Sequence, residues 1–169
     1  YGALHDATQF YVEQLGKVPE AIEYLENRGV TKQTLAKWQI GFAPGPPTQG
    51  WRMVKEHLES KGYTKDELFK VGLIKSTEGG KEPFDVFRDR IMFPLFDQNS
   101  KVVAFSGRIL HPDEKSPKYV NSPETELYKK SELLFGYDKA KQGIRSLNFS
   151  LIVEGQFDVV MAHQAGYAT

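Results

Sequence analysis

The sequence contains no cysteine. Disulfide bonds and thiolate zinc sites are therefore excluded from these 169 residues, and we expect no zinc site in this chain. No stretch approaches the run of about 20 apolar residues that a membrane-spanning helix requires, and the first residues lack the basic and apolar regions of a signal peptide. These absences favour a cytoplasmic protein with no membrane partner.

Net charge is also missing, because 22 basic side chains balance 22 acidic ones. The whole molecule therefore exerts no strong non-specific attraction on nucleic acid. The distribution is nevertheless uneven, with an acidic excess over residues 1–30 and a basic excess over residues 88–145. This asymmetry permits a local surface for a polyanion, and scattered solvated charge is the alternative.

Hydrophobic spacing and capping residues predict an α+β fold with a helical first part. Five helices are predicted before residue 73, with Pro19 at the start of the second, Gly29 at its end, and Thr31 and Thr64 as N-caps. The segments 91–96 and 102–105 predict a β-hairpin, in which Pro94 indicates an edge or a bulge. Other predicted segments are loops at 44–47 and 77–80, a long ordered loop or short strands over 111–131, and a short helix at 137–142.

The last part of the chain combines an apolar run with two acids. Leu151–Val153 predicts a buried strand, and a turn and a helix follow it. Glu154 lies at the carboxyl end of that strand, where ligand sites of open α/β sheets are found, and Asp158 follows about one helical turn later. Carboxylates there suit Mg²⁺, although two acids near a helix N-terminus also stabilise the helix without any metal.

Three arginines are candidates for phosphate binding. Arg88 and Arg90 are two residues apart at the start of a predicted strand and are expected to share one face. Arg108 ends the second strand of the hairpin and follows Gly107, which allows a close approach of the backbone. Guanidinium groups remain charged and match the geometry of phosphate, while a solvated strand edge is the alternative.

The segment 117–130 mixes cations, aromatic rings and small polar residues. Single-stranded nucleic acid is bound by such mixtures, with cations for phosphates, rings for stacking, and hydroxyl or amide groups for sugars. A proline-rich surface loop is the alternative. The candidate residues are Lys118, Tyr119, Asn121, Ser122 and Lys130.

Taken in order, six segments resemble the catalytic core of bacterial DnaG-type DNA primases. The resemblance runs over essentially the whole chain, and six strings in the right order are far more specific than any one of them. The segments are YLENRG at 24–29, IGFAP at 40–44, FRDRIMFP at 87–94, FSGR at 105–108, PKYVNSPET at 117–125 and VEGQFDVV at 153–160.

This resemblance implies a mixed α/β N-terminal subdomain over residues 1–145, and the first strand and helix of a TOPRIM metal-binding domain over residues 146–169. Glu154 matches the TOPRIM glutamate, and Asp158 the acid that follows it. Small departures from the family pattern occur at Ser106 and at 129–131. The residues that match the family's basic groove are Arg88, Arg90, Arg108, Lys118 and Lys130, with Tyr119, Asn121 and Ser122 between them.

The function implied by the resemblance is synthesis of short RNA primers on single-stranded DNA during replication. Ribonucleoside triphosphates would be joined with the help of Mg²⁺ or Mn²⁺, with Glu154 as metal ligand or general base. The family's second acidic cluster and its helicase-binding module are expected after Thr169, and its zinc module before Tyr1, so this piece alone is expected to be inactive. The alternatives are a TOPRIM-containing primase–helicase and a non-catalytic module that binds single-stranded DNA.

Overall fold

The structure, a computed structural model, describes residues 1–46, 49–76, 79–112, 114 and 116–169. Residue 47 of the first predicted loop and residues 77 and 78 of the second lie outside this part. The helices are α1 (Gly2–Leu15), α2 (Pro19–Asn27), α3 (Lys32–Trp38), α4 (Met53–Ser60), α5 (Lys65–Lys70), α6 (Tyr137–Leu147) and α7 (Gln156–Gln164), with a 3₁₀ turn at Lys130–Glu132. The strands are β1 (Gly41–Ala43), β2 (Ile74–Lys75), β3 (Phe84–Asp85), β4 (Arg90–Phe96), β5 (Val102–Ile109) and β6 (Tyr119–Asn121).

A four-stranded antiparallel sheet with the strand order β1-β4-β5-β6 forms the centre of the molecule. Strands β2 and β3 form a separate antiparallel pair. The predicted hairpin is confirmed as β4 and β5, and the region 111–131 contributes the short strand β6. Helices and a mainly antiparallel sheet confirm the α+β fold class.

The two faces of the central sheet pack against different helices. Side chains alternate between faces along a strand, and directly opposed residues point to the same side. Ile91 and Phe93 therefore lie on one face, where they pack in a cluster with residues of α2, α3 and α7. Met92 and Phe105 lie on the other face with residues of α1, α4 and α5. Burial of each large apolar side chain contributes about 1.5–3 kcal/mol.

The helix ends predicted from local residue chemistry are confirmed. Pro19 occupies the first position of α2, and Gly29 follows the helix with a φ of 81°. The Thr31 hydroxyl accepts a hydrogen bond from the Thr34 N–H at the start of α3. Thr64 and Glu67 form a reciprocal capping box before α5.

Pro94 lies inside β4, which is a central strand over part of its length. Its pairing with β1 runs from Arg90 to Met92, so Pro94 lies in the part that is paired with β5 alone. A register irregularity follows between Leu95 and Phe96. Both structural features that the proline indicated, an edge and a bulge, are therefore present close to it.

The predicted strand at Leu151–Val153 is wrong, because this segment pairs with no strand of the described part of the chain. One backbone hydrogen bond joins the Leu151 N–H to the Thr169 carbonyl at 3.2 Å. The Leu151 and Ile152 side chains are 44 % and 85 % exposed. A β-strand forms only where a neighbouring strand provides hydrogen-bond partners. An apolar run in the sequence does not show whether such a neighbour is present. The helix that follows is confirmed as α7, and α6 is longer than the predicted 137–142.

None of the described helices is long and apolar enough to cross a membrane.

Candidate nucleic-acid interface

Five side chains from four elements meet on the face of the sheet that packs against α7. Arg108 near the end of β5 lies directly opposite Tyr119 of β6, and its guanidinium donates to the Tyr119 hydroxyl at 2.8 Å. Its guanidinium carbon lies 5.4–5.6 Å from the ring centroids of Tyr119, Phe157 and Tyr24. Arg28 lies 4.7 Å from the Phe157 ring and 5.2 Å from the Tyr24 ring. We call this group the Arg108 cluster.

The Arg108 cluster combines two like charges with aromatic rings. The negative faces of the rings stabilise each cation, by about 0.5–1 kcal/mol at exposed positions. Arg28 is exposed, and the Arg108 Nε is buried without a hydrogen-bond partner among the described residues. Two adjacent guanidinium groups with donors to spare are suited to a phosphate chain.

Helix α7 is fixed to this side of the molecule by two glutamine side chains. The Gln156 amide donates to the hydroxyl of the fully buried Ser106 at 3.0 Å. The Gln164 amide accepts from the Thr31 N–H at 2.9 Å and donates to the Gly29 carbonyl at 2.7 Å. These contacts hold Glu154, two residues before Gln156, on the same side of the sheet as the Arg108 cluster.

The two acids predicted to bind metal are both exposed. The Asp158 carboxylate accepts from the Gly155 N–H at 3.1 Å, so it stabilises the N-terminus of α7 as the alternative interpretation expects. No group of three histidine, aspartate or glutamate side chains suited to a metal ion occurs in the described residues. Mg²⁺ requires octahedral oxygen ligands, so Glu154 and Asp158 alone do not make a complete Mg²⁺ site.

A second group of cations and rings lies on the opposite side of the sheet. The Arg88 guanidinium carbon is 4.6 Å from the Trp51 ring and 4.8 Å from the Phe84 ring. The Lys75 ammonium is 5.1 Å from the same Phe84 ring, and the two rings meet edge to face. Trp51 is 52 % exposed, so its ring can receive a ligand. We call Trp51, Lys75, Phe84 and Arg88 the Trp51 platform.

A pocket of about 610 Å³ adjoins the Trp51 platform and includes the imidazole of His111 in its lining. His111 in its wall contacts Asp89 through Nδ1 at 2.8 Å and Glu20 through Nε2 at 3.0 Å. These hydrogen bonds, the stronger one to Asp89, raise the pKa of His111 above its usual value. Burial lowers the pKa of the Arg88 guanidinium, which nevertheless remains charged at neutral pH.

Gly45 allows the chain to pass directly beside Arg88. A Cβ atom at this position would lie 2.6 Å from the Arg88 Cβ and 3.0 Å from its Cα. Real side chains do not tolerate such distances, so any other residue would displace Arg88 or the loop.

Arg90 is buried, with 6 % of its surface exposed. Its guanidinium donates to the carbonyl groups of Gly107, Pro117 and Lys118 at 3.2, 3.0 and 3.5 Å. The side chain therefore holds the entry to β6 against the sheet. Ser122 is buried as well, and its hydroxyl accepts from the Phe105 N–H at 2.9 Å.

The basic residues of the predicted groove lie on both faces of the sheet, as the strand register shows. Arg108, Tyr119 and Asn121 share one face, whereas Arg90 pairs with Ile109 and points to the opposite face, on the side of the Trp51 platform. Arg88 precedes β4 and belongs to that platform. Exposed Lys118 directly precedes the edge strand β6, and exposed Lys130 lies in the 3₁₀ turn.

Six members of these two groups were not predicted as site residues: Tyr24, Arg28, Phe157, Trp51, Lys75 and Phe84. Tyr24 lies in α2, and Arg28 caps its C-terminal end four residues later, so the two side chains meet on one side of the helix. This spacing is the signal that could have indicated them. Trp51 gives no comparable signal, because its partners Phe84 and Arg88 lie more than 30 residues away in the sequence.

Known proteins with similar sequences settle the family. The sequence profile of the DNA primase catalytic core, N-terminal domain, matches residues 10–141. The chain belongs to this primase family. The DNA primase of Synechococcus elongatus is 42 % identical over 171 residues, which cover 98 % of this chain and 24 % of that protein. The DNA primase of Streptomyces coelicolor is 39 % identical over 166 residues, with 96 % and 25 % coverage. The chain thus spans about a quarter of the length of these curated primases.

Solved primase structures share the fold. The RNA polymerase domain of the Mycobacterium tuberculosis primase DnaG superposes with a TM-score of 0.88 at 37 % identity, covering 99 % of this chain and 53 % of that chain. A DnaG primase catalytic domain bound to single-stranded DNA superposes with a TM-score of 0.81 at 35 % identity, with 99 % and 53 % coverage.

Proposed function

We propose that this chain is the template-binding part of a bacterial DNA primase, which synthesises short RNA primers on single-stranded DNA by nucleotidyl transfer. The Arg108 cluster carries this proposal. It holds two guanidinium groups among aromatic rings, next to the helix that follows Glu154, in a chain of the primase family. Such a surface suits a single strand, whose phosphates need cations and whose bases stack on rings.

The template would contact the chain through residues on one face of the sheet. Arg28 and Arg108 supply cations for successive phosphates. Tyr119 and Asn121 lie two residues apart on the same side of β6, and both are partly exposed. Their ring and amide are placed for a base and a sugar. Lys118 at the edge extends this surface toward the Trp51 platform, which we propose as a second contact for the strand.

Glu154 is the proposed catalytic residue, as a metal ligand or as a general base. Its position before α7 and the family relationship support this role. The further ligands that Mg²⁺ or Mn²⁺ needs are not among the described residues. Asp158, which caps α7, would orient the turn that carries Glu154. We expect the family's second acidic cluster to complete the site for nucleotidyl transfer.

Binding of fluorescein-labelled oligo-dT to this chain, measured by anisotropy at several salt concentrations, tests the template surface. Arg108→Ala and Lys118→Ala should each weaken binding, and each lost phosphate contact should make the salt dependence shallower by about one unit. Lys17→Ala, at an exposed position between α1 and α2, is the matched control and should change neither value. An unchanged salt dependence in Arg108→Ala would place the template elsewhere.

Primer synthesis by a complete primase that includes this chain tests Glu154. Glu154→Gln should abolish synthesis and leave oligo-dT binding intact, because the amide keeps the shape and removes the charge. Glu126→Gln, also exposed, should retain both properties. Normal synthesis by the Glu154→Gln enzyme would remove this carboxylate from the chemistry.

The relatives named above are DNA primases, which supports a primase over a primase–helicase. The same relatives support a catalytic primase over a module that binds single-stranded DNA without catalysis. Ribonucleoside triphosphates, an RNA primer, a helicase partner, a cytoplasmic location and the domain boundary near residue 145 stay predictions for the whole protein.

A further inference from the structure

Asp85 is a buried residue. Its backbone and its carboxylate both form hydrogen bonds with residues that belong to the Trp51 platform or follow Trp51 in the chain. It is 1 % exposed. Its N–H donates to the Trp51 carbonyl at 2.9 Å. Its two carboxylate oxygens accept from the Val54 and Lys55 N–H groups at 2.9 and 3.1 Å. Its carbonyl accepts from the Arg88 guanidinium.

These bonds join chain segments that are about 30 residues apart. One segment carries Trp51 and leads into α4, and the other carries Phe84 and Arg88 around β3. Asp85 bonds to both segments and lies between the residues whose side chains stack. A buried charge is costly unless it is hydrogen-bonded. The Asp85 carboxylate therefore holds in place the amide groups that donate hydrogen bonds to it.

We propose that Asp85 is the positioning residue of the Trp51 platform, setting the distance at which the Trp51 ring and the Arg88 guanidinium receive a single strand of nucleic acid. The nucleic-acid part of this inference rests on the proposed function. The positioning part rests on the hydrogen bonds of Asp85 and can be tested without any ligand.

The charge of Asp85 depends on the groups that face it. Burial raises the pKa of Asp85 to about 7. The hydrogen bonds from the Val54 and Lys55 amides and the charge of Arg88 act in the opposite direction and lower this pKa. Glu56 also raises it. Tyr11 of α1 faces the same region, and burial and Asp85 raise the pKa of its hydroxyl.

The Lys55 side chain does not neutralise this carboxylate, because its ammonium pairs with Glu59 at 2.8 Å and Glu82 at 2.9 Å. As the pH falls through about 7, Asp85 gains a proton. It then attracts Arg88 less, and one of its oxygens becomes a donor that faces an amide N–H. We therefore expect the platform to loosen below neutral pH.

Acrylamide quenching of tryptophan fluorescence reports the platform directly. Trp51 is 52 % exposed and Trp38 only 2 %, so quenching comes almost entirely from Trp51, and a Trp51→Phe variant verifies this. Asp85→Asn should raise the quenching constant and Asp66→Asn, at an exposed position in α5, should not. An unchanged quenching constant in Asp85→Asn overturns the positioning role.

The unsubstituted chain provides a measurement that does not depend on the variant folding. Its quenching constant should change between pH 5.5 and 8.5 with a midpoint near 7. The same profile in a His111→Gln background separates the titration of His111, which lines the neighbouring pocket. A flat profile in the His111→Gln background overturns the inference, whether or not the unsubstituted chain shows a change.

Oligo-dT binding distinguishes this inference from the proposed function. If Trp51→Ala and Arg88→Ala leave affinity unchanged, the platform is not a template contact, and the nucleic-acid part of both proposals fails. If they weaken binding, Asp85→Asn should weaken it about fivefold at pH 8, the size expected for one lost hydrogen bond. Full affinity in Asp85→Asn, when Trp51→Ala and Arg88→Ala bind weakly, would sink the positioning role alone.

Discussion

The Arg108 cluster and the Trp51 platform use the same chemistry with different supports. Both hold a guanidinium group over aromatic rings, on opposite sides of one sheet. The first is assembled from α2, β5, β6 and α7, which are distant in the sequence. The second comes from residues 51–88 and depends on one buried carboxylate. A cationic surface can thus be held in place by a docked helix, as in the Arg108 cluster, or by a buried carboxylate, as in the Trp51 platform.

Arg90 links the two surfaces, and its replacement should have the largest effect. Arg90→Met keeps the bulk of the side chain and removes the donor to three carbonyl groups around β6. We expect the free energy of unfolding to fall by about 3 kcal/mol, because buried acceptors lose a charged partner. Urea unfolding measures this loss. Arg145→Met, at an exposed position in α6, should cost little, and an equal loss in both variants would contradict a special role for Arg90.

The titration of Asp85 should have the next largest effect. Its pKa is raised from 3.8 to about 7 in the folded chain, so between these values the folded chain holds a proton that the unfolded chain has released. The free energy of unfolding should therefore fall as the pH rises from about 4 to about 7, by about 1–3 kcal/mol, and then level off.

His111 acts in the same direction, because the stabilisation from its raised pKa is present below its ordinary value and is lost as the pH rises through the folded value. Urea unfolding at pH 5 and pH 8 should thus show a smaller difference for Asp85→Asn than for the unsubstituted chain. An equal difference would show that Asp85 does not titrate in this range.

Gly45→Ala should affect one of the two surfaces and not the other. The new methyl group would press on Arg88, and we expect the Trp51 platform to shift at a cost of about 1 kcal/mol. The Arg108 cluster should keep its geometry. Quenching of Trp51 by acrylamide measures the shift. Gly50→Ala is the control, because its nearest neighbour, the Met53 sulfur, would lie at an ordinary 3.5 Å.

Gln156→Met should have the smallest effect and should act on the other surface. It removes the hydrogen bond to Ser106 and loosens α7 next to the Arg108 cluster, at a cost of about 0.5–1.5 kcal/mol. Hydrogen exchange of the α7 amides should increase, with Trp51 quenching unchanged. Gln142→Met on α6 should alter neither measurement.

The sequence predicted best what depends on neighbours in the chain. Caps at Thr31 and Thr64 and the glycine at position 29 were found because a single turn of backbone decides them. The hairpin of β4 and β5 followed from two apolar runs and a polar turn. The family segments correctly indicated a primase core.

What the sequence could not show depends on distant partners. Leu151–Val153 has the residues of a strand, and no strand in the described part of the chain pairs with it. In the sequence Arg90 cannot be distinguished from an exposed arginine. Its burial and its three carbonyl partners follow from the strand register and from the chain that leads into β6. Trp51 joins the platform only because the fold places Phe84 of β3 and Arg88 in contact with its ring. The functional roles of all the predicted site residues, from the acids Glu154 and Asp158 to the template-binding residues, stay predictions.

Pro94 has a consequence for how the sheet ends. The N–H and carbonyl of its partner Phe105 are both bonded to Ser122 on the far side, so the Pro94 nitrogen faces away from β5, toward the side where the pairing with β1 has ended at Met92. An amide hydrogen there would invite another polypeptide to extend the sheet. Since proline has none, this position of β4 offers no hydrogen-bond donor to a further strand.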